Sequence, residues 1–211
     1  ASLPAVSSVA DARQGIKTGD NERFLRFWQE VSLSNAALPC SSPVVKKWFP
    51  CSKGGDYRKW FGNCEYTVNW ENEGHEIRNF YTPGGRLRSR PQNVGYFFRE
   101  GATWSTLTSS HLSVRLFSEG FAFESKGSVC FPHDGTSAID LLGCLNSNVV
   151  GRLIAATSAT LDYSEGAISR LPWKQVAASK PHVSDLIRRA RADWNAYERS
   201  WDFQSLPLLT A

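Results

Sequence analysis

The sequence contains two clusters of arginine and lysine residues. Their type and spacing indicate that they could bind phosphate groups. Residues 46–59 hold five basic residues and one acid, and residues 84–115 hold five arginines and one acid, so each cluster carries a net charge of +4. Both clusters interleave with glycine, serine, threonine and aromatic residues, which allow close approach to phosphates and base edges. The pattern indicates either a nucleic-acid interface or an ordinary solvated surface.

A third candidate is the stretch QGIKTGDNERFLRF at residues 14–27, where glycines bracket a lysine and a threonine. It does not have the spacing of a Walker phosphate-binding loop. Its residue types favour a turn or a helix cap in which Thr18, Asp20 or Asn21 satisfies backbone donors.

Hydrolytic and metal chemistry have little support in the sequence. The four histidines lack His-x-x-x-His spacing, and the five cysteines are odd in number and contain no Cys-x-x-Cys pair. We therefore expect reduced, mostly buried thiols in a cytoplasmic protein at Cys40, Cys51, Cys64, Cys130 and Cys144. No apolar run approaches the roughly 20 residues of a membrane span.

The elements that must position the basic clusters are predicted to form an α+β fold. Short strand-like runs (EYTVNWE, GYFFREG, LSVRLF, GFAFES and SVCFP) indicate an antiparallel or mixed sheet. NERFLRFWQEV fits a helix and a strand equally well. Apolar residues at helical spacing then predict a buried helix over 137–157 and an amphipathic helix from Pro181. The expected architecture is a β-rich mixed sheet body followed by two helices.

The expected organisation is an N-terminal segment at 1–13, a main domain at 14–175 and a C-terminal helical segment at 176–211 that packs on it. The chain contains no methionine, even at position 1. We therefore expect a processed protein or a piece of a longer one.

Several separate stretches resemble adenine-specific DNA methyltransferases, including type IIG restriction-modification enzymes and the BREX phage-exclusion methyltransferases. QGIKTGDNERF is similar to a stretch that follows the catalytic domain in these enzymes. Residues 46–80, residues 95–131 and DWNAYERSWDFQSLPLL closely resemble the BREX-type members. LLGCLNSNVVGRLI with TLDYSEGAISRLPW is similar to a helix followed by a strand in type I specificity subunits. The resemblance covers residues 14–209.

The resemblance implies a target recognition domain that grips duplex DNA while a neighbouring catalytic domain flips and methylates an adenine, for phage defence. Arg86, Arg88 and Arg90 are then candidates for guanine edges, and Gln92 and Asn93 for adenine. The residues expected to contact DNA are Lys17, Lys46, Lys47, Lys53, Arg58, Lys59, Arg86, Arg88, Arg90, Gln92, Asn93, Arg99, Ser105, Thr106, Ser109 and Arg115. The implied partners are double-stranded DNA, the catalytic domain of the same polypeptide and other defence-system subunits, with no membrane.

This sequence departs from the resembled enzymes in its catalytic motifs. The Asn/Asp-Pro-Pro-Tyr/Phe motif and the glycine-rich cofactor motif are absent, and no Pro-Pro pair occurs. We therefore expect no catalytic residue, metal or S-adenosylmethionine site in this chain, and the cofactor would belong to the missing catalytic domain. Two alternatives stay open: half of a type I specificity subunit, or an aromatic-rich module for protein or carbohydrate. The second alternative predicts exposed side chains at Trp48, Trp60, Trp70 and Trp104.

Overall fold

The computed structural model describes residues 3–38, 46–157 and 162–209 of the 211. Cys40 lies outside these ranges. The first sheet has the order β1-β8-β5-β6 and is antiparallel throughout. Its strands are β1 (Ala10–Arg13), β5 (Gly101–Trp104), β6 (Val114–Phe117) and β8 (Val129–Pro132). The register pairs Ala10 with Pro132 and Gly101 with Phe117.

The second sheet has the order β2-β4-β3-β7. Its strands are β2 (Leu25–Phe27), β3 (Trp48–Ser52), β4 (Tyr66–Asn69) and β7 (Ala122–Phe123). Its pairs are antiparallel except β3 with β7, which run parallel with Cys51 opposite Ala122. The described residues thus form a mixed sheet and an antiparallel sheet, and the predicted α+β class is confirmed.

The first sheet separates two hydrophobic cores. Along β8, Val129 and Phe131 pack into one core and Cys130 packs into the other, because successive side chains of a strand point to opposite faces. One core is built on Trp104 and the helices, and the other is rich in phenylalanine. Burial on both faces explains why β5 and β8 read as almost continuous apolar runs.

Six helices lie among the described residues. They are α1 (Asn21–Phe24), α2 (Glu71–Arg78), α3 (Ala138–Leu145), α4 (Asn148–Thr157), α5 (Glu165–Ser169) and α6 (Lys180–Asn195). Ser137 caps α3 by accepting the backbone N–H of Asp140. Helix α6 contributes Val183 and Ile187 to the first core and Trp194 to the second.

The predicted single helix over 137–157 is wrong in detail, because α3 and α4 are separate and bent by 65°. The side chain of Asn146 accepts the backbone N–H of Val114 at 3.0 Å and donates to its carbonyl at 2.8 Å. Ser147 then caps α4 by accepting the N–H of Val150 at 3.3 Å. These two polar residues break the helical run. Among the described residues no single helix is long and apolar enough to cross a membrane. Helices α3 and α4 reach the length and apolar composition of a membrane span only when the bent pair is taken together.

Two strand predictions also need correction. GYFFREG begins within a short 3-10 turn at Val94–Tyr96, and Phe98 adopts a positive φ of 66°, so a strand starts only at Gly101. The stretch expected as a strand near residue 166 is helix α5, whose cap Ser164 accepts the N–H of Ala167. The ambiguous NERFLRFWQEV contains both elements, since α1 passes directly into β2.

Candidate nucleic-acid interface

Residues 80–90 form a chain reversal, the arginine hairpin, that presents three arginines on one side. Its arms are joined by hydrogen bonds from the N–H of Thr82 to the carbonyl of Arg86 and from the N–H of Arg88 to the carbonyl of Phe80, both 2.8 Å. Arg86, Arg88 and Arg90 alternate along the extended arm and are exposed, whereas Ser89 between them is buried. The spacing of two residues places the three guanidinium groups on a common face.

The turn at Lys17 is attached to the arginine hairpin through the backbone. The N–H of Lys17 donates to the carbonyl of Arg90 at 3.1 Å, and the N–H of Arg90 donates to the carbonyl of Lys17 at 2.7 Å. Gly19 has φ +78°, and a Cβ at this position would lie 2.8 Å from the carbonyl carbon and oxygen of Arg88. Only glycine therefore fits this close approach.

A third loop, residues 124–127, joins the same surface and adds Lys126. The N–H of Ser125 donates to the carbonyl of Ile16 at 3.0 Å, next to the Lys17 turn. The N–H of Glu124 donates to the carbonyl of Ser52 at 2.8 Å, which connects this loop to the end of β3 and thereby to Lys53. Neighbouring loops are thus linked by main-chain hydrogen bonds.

Two open clefts lie along these loops and share one residue, Asn21. A cleft of about 320 Å³ is lined by Lys17, Asn21 and Ser125, together with the carboxylates of Asp20 and Glu124. A cleft of about 290 Å³ is lined by Arg26 and Lys53, together with Asn21 and two glutamates. Carboxylates therefore equal the cations in the 290 Å³ cleft and outnumber them in the 320 Å³ cleft.

We call this set of basic side chains the cationic loop surface; it comprises Lys17, Arg26, Lys53, Arg86, Arg88, Arg90 and Lys126. Across the described ranges none of the seven forms an ion pair with a carboxylate. The Arg26 guanidinium donates to the carbonyls of Glu22 and Leu25, and the Lys53 and Arg88 side chains lie over the rings of Tyr66 and Phe80, so these three charges are partly engaged within the protein. The sequence prediction did not include Arg26 and Lys126, because each stands alone among apolar or acidic neighbours. Only the fold brings them next to the other basic loops.

Lys46 and Lys47 lie at the opposite end of β3 from Lys53. The ammonium group of Lys47 is 3.6 Å from Glu71 and 3.7 Å from Glu76, and the Lys46 ammonium donates to the carbonyl of Ser34 at 3.0 Å. Their charges are therefore partly or wholly engaged within the protein.

Arg58 and Lys59 face the helices. Arg58 forms an ion pair of 2.5 Å with Asp193 of α6, and its guanidinium lies 5.1 Å from the ring centroid of Trp194. The Lys59 ammonium donates to the carbonyl of Asn146 at 3.1 Å. The first sequence cluster is thus divided among three places.

Arg115 is a buried structural residue with only 1% of its surface exposed. Its guanidinium donates to the Ser105 hydroxyl at 3.3 Å and to the Arg58 carbonyl at 3.4 Å. Burial lowers the pKa of Arg115 to about 10, which still leaves the side chain charged at neutral pH. Ser105 and Thr106 are also buried, whereas Ser109 is exposed beside a cleft of about 640 Å³.

Of the remaining residues predicted to contact DNA, Arg99 is exposed, whereas the side chains of Gln92 and Asn93 are hydrogen-bonded within the protein. Arg99 is exposed and its guanidinium lies over the ring of Tyr96 at 5.1 Å. The amide nitrogen of Gln92 donates to the Gln14 side chain at 2.9 Å and to the Gly15 carbonyl at 2.8 Å. The amide nitrogen of Asn93 donates to the Gln14 carbonyl at 2.9 Å. These two amides hold the segment that precedes the Lys17 turn.

The four tryptophans that would serve an aromatic binding face are covered to different degrees. Trp70 is 6% exposed and Trp104 is fully buried, with its indole nitrogen donating to the Tyr163 carbonyl at 2.7 Å. Trp48 and Trp60 are half-buried. The tryptophans of the described ranges therefore do not form the exposed aromatic face that the alternative requires.

The cysteines that the structure describes are free thiols, and three of them are buried. Burial raises the pKa of Cys64 and of Cys130 to about 12, and raises that of Cys51 further. Cys144 is half-buried. Within the described part of the chain no group of three or more potential metal ligands occurs.

Comparison with known proteins identifies two relatives, and no protein-family model matches the chain. It is 37% identical over 211 residues to the adenine-specific methyltransferase PglX of Lacticaseibacillus casei (strain Zhang), a match covering 97% of this chain and 18% of that protein. It is 34% identical over 214 residues to the adenine-specific methyltransferase BrxX of Escherichia coli O9:H4 (strain HS), covering 98% of this chain and 16% of that protein. The chain thus spans less than a fifth of the length of these curated relatives, and it is similar to one region of adenine-specific methyltransferases, as the sequence motifs predicted.

Proposed function

We propose that this chain is the DNA target recognition region of an adenine-specific methyltransferase of the BREX type. The observation that carries the proposal is the cationic loop surface, which gathers basic side chains from four loops without carboxylate partners among the described residues. Such a surface suits the phosphate backbone of duplex DNA, because lysine and arginine contacts release condensed counterions.

The arrangement of the loops also supports a duplex as the ligand. The arginine hairpin projects three guanidinium groups at alternate positions, and guanidinium groups bind phosphate or the O6 and N7 acceptors of guanine in a bidentate way. Phosphate contacts fix the position of a protein on DNA, and contacts with base edges select the sequence. Polar residues between the basic loops would supply the second kind of contact.

Methyl transfer itself belongs, in this proposal, to a catalytic domain elsewhere in the longer polypeptide. The described strands pair antiparallel except for β3 with β7, and they lack the parallel strand–helix crossovers at whose carboxyl ends nucleotide cofactors bind in doubly wound sheets. We therefore assign S-adenosylmethionine to the catalytic domain. This region would hold the DNA while that domain acts on a flipped adenine.

The experiment that tests the proposal measures the affinity of the 211-residue chain for a mixed-sequence duplex as a function of salt. If six of the seven cations of the cationic loop surface each contact one phosphate, the logarithm of the binding constant falls with a slope of about −5 against the logarithm of salt. Between about 50 and 200 mM salt this slope corresponds to a loss on the order of 10³-fold in affinity. Affinity that does not depend on salt would contradict the proposal.

A matched pair of triple variants locates the contact surface. Arg86→Ala/Arg88→Ala/Arg90→Ala is expected to reduce the magnitude of the slope by up to about 3, since each lost phosphate contact removes about 0.9. The control, Arg152→Ala/Arg170→Ala/Arg188→Ala, removes the same charge from exposed positions in the helical part of the chain. It is expected to leave the slope nearly unchanged. Equal effects of both variants would mean that only net charge matters.

A further inference from the structure

Asn21 lies where the two clefts along the basic loops meet. It lines both the 290 Å³ cleft with Arg26 and Lys53 and the 320 Å³ cleft with Lys17. Its side chain is exposed, and it is a neutral amide between Arg26 and Lys53 on one side and Lys17 on the other. The same clefts also contain the carboxylates of Asp20, Glu22, Glu30 and Glu124. Since charged groups at the border bind phosphates, a neutral donor and acceptor between them is suited to a base edge.

A buried hydroxyl fixes the orientation of the Asn21 amide. Thr18 is 1% exposed, and its Oγ1 accepts the N–H of Asp20 at 3.2 Å. The same hydroxyl donates to Oδ1 of Asn21 at 2.6 Å, which gives the buried hydroxyl hydrogen an acceptor. Nδ2 of Asn21 donates no hydrogen bond to any described residue, and Oδ1 retains a lone pair.

The 320 Å³ cleft also contains the carboxylate of Glu124, whose negative charge disfavours a phosphate group. Glu124 is 5% exposed and lines the 320 Å³ cleft. It accepts the Ser125 hydroxyl at 2.6 Å and the N–H of Lys126 at 2.9 Å. A carboxylate has about four acceptor positions, so acceptor capacity remains. The negative charge disfavours a phosphate in the cleft and favours a ligand that donates hydrogen bonds.

From these contacts we infer that the cleft around Asn21 is a base-reading site for adenine in duplex DNA, with Asn21 as the reading residue and Thr18 as its positioning residue. The inference rests on the proposed function and deepens it. Adenine presents an N7 acceptor beside an N6 amino donor in the major groove, and an asparagine amide binds both atoms together. Nδ2 of Asn21 donates to N7, and Oδ1 accepts from N6.

The test pairs a change in the protein with a change of one atom in the DNA. The wild-type chain selects duplexes from a random-sequence pool, and 7-deazaadenine, which lacks N7, then replaces each adenine of the preferred duplex in turn. At one position this replacement is expected to lower wild-type affinity roughly 5- to 100-fold. In Asn21→Ala the same replacement is expected to change affinity less than about 2-fold, while the salt dependence of binding is retained.

Each outcome decides between the inference and the proposal on which it rests. Suppose that the wild-type chain binds the duplex in a salt-dependent way. If 7-deazaadenine then lowers the affinity of Asn21→Ala as much as that of the wild type, or lowers wild-type affinity at no position, the reading role of Asn21 is overturned and the proposed function stays intact. Absence of salt-dependent duplex binding by wild type overturns both. An unchanged urea unfolding midpoint of Asn21→Ala shows that the variant is folded.

Two substitutions at Thr18 test the positioning role separately. Thr18→Ser keeps the hydroxyl and is expected to retain the 7-deazaadenine loss. Thr18→Val removes the hydroxyl at similar size, so the amide is no longer fixed and the 7-deazaadenine loss is expected to shrink by at least about 3-fold. Equal losses in the two variants would show that the hydroxyl does not orient Asn21.

Discussion

Gly19→Ala tests whether the Lys17 turn and the arginine hairpin form one unit. An alanine at φ +78° costs about 1–2 kcal/mol in backbone strain. In addition its Cβ would lie 2.8 Å from the carbonyl carbon and oxygen of Arg88, so the hairpin has to move. That movement weakens the two hydrogen bonds between Lys17 and Arg90, at about 1 kcal/mol each. We expect the free energy of unfolding to fall by about 3 kcal/mol.

Gly135→Ala is the matched control for this prediction. Gly135 has φ +85°, but a Cβ there would meet no atom within 4 Å, so only the strain of about 1–2 kcal/mol applies. Urea denaturation of both variants gives the difference, and hydrogen exchange of the Arg90 amide reports whether the hairpin has detached. Equal destabilisation by the two substitutions, with unchanged exchange at Arg90, would refute the reasoning.

The remaining predictions concern the helices and the first core. Asp140 is buried, which raises its pKa, but hydrogen bonds from Ser137 and Lys180 outweigh burial and hold the pKa below its usual value of 3.8. The Asp140 carboxylate therefore stabilises the fold at pH values above 3.8, and this stabilisation is lost as the pH falls through the lower pKa of the folded state. Asp140→Asn should lower the free energy of unfolding by about 1–2 kcal/mol at pH 7. It should also make the stability less dependent on pH in the acid range, as measured by unfolding at a series of pH values. Trp104→Phe should cost about 1–3 kcal/mol in thermal or urea unfolding, because the buried carbonyl of Tyr163 loses its donor; a loss below about 0.5 kcal/mol would contradict this.

Local patterns in the sequence correctly predicted several of the strands. The runs YTVN, VRLF and VCFP are strands as expected. The prediction of a strand was wrong for most of GYFFREG, although its aromatic residues are common in strands. In the structure these residues form part of a 3-10 turn and pack into the second core, and they do not pair with a neighbouring strand. Propensity alone does not distinguish these roles, since packing decides between them.

The grouping of the basic residues could not be predicted from their order. Lys47 and Lys53 are neighbours in the sequence, but the five-residue strand Trp48–Ser52 lies between them and spans roughly 17 Å. Lys126 joins Lys53 only because β3 and β7 pair in parallel across a long sequence separation. Long-range pairing of this kind is not encoded in a local window, so the candidate surface emerges only from the fold.

The most direct measurement of the central claim is chemical footprinting of lysines with and without duplex DNA, read by mass spectrometry. Lys17 and Lys126 are exposed on the cationic loop surface and Lys53 is half-buried there, whereas Lys174 is exposed near the helices. DNA is expected to protect Lys17, Lys53 and Lys126 together and to leave Lys174 reactive. Protection of Lys174 without protection of Lys17 and Lys126 would contradict this expectation.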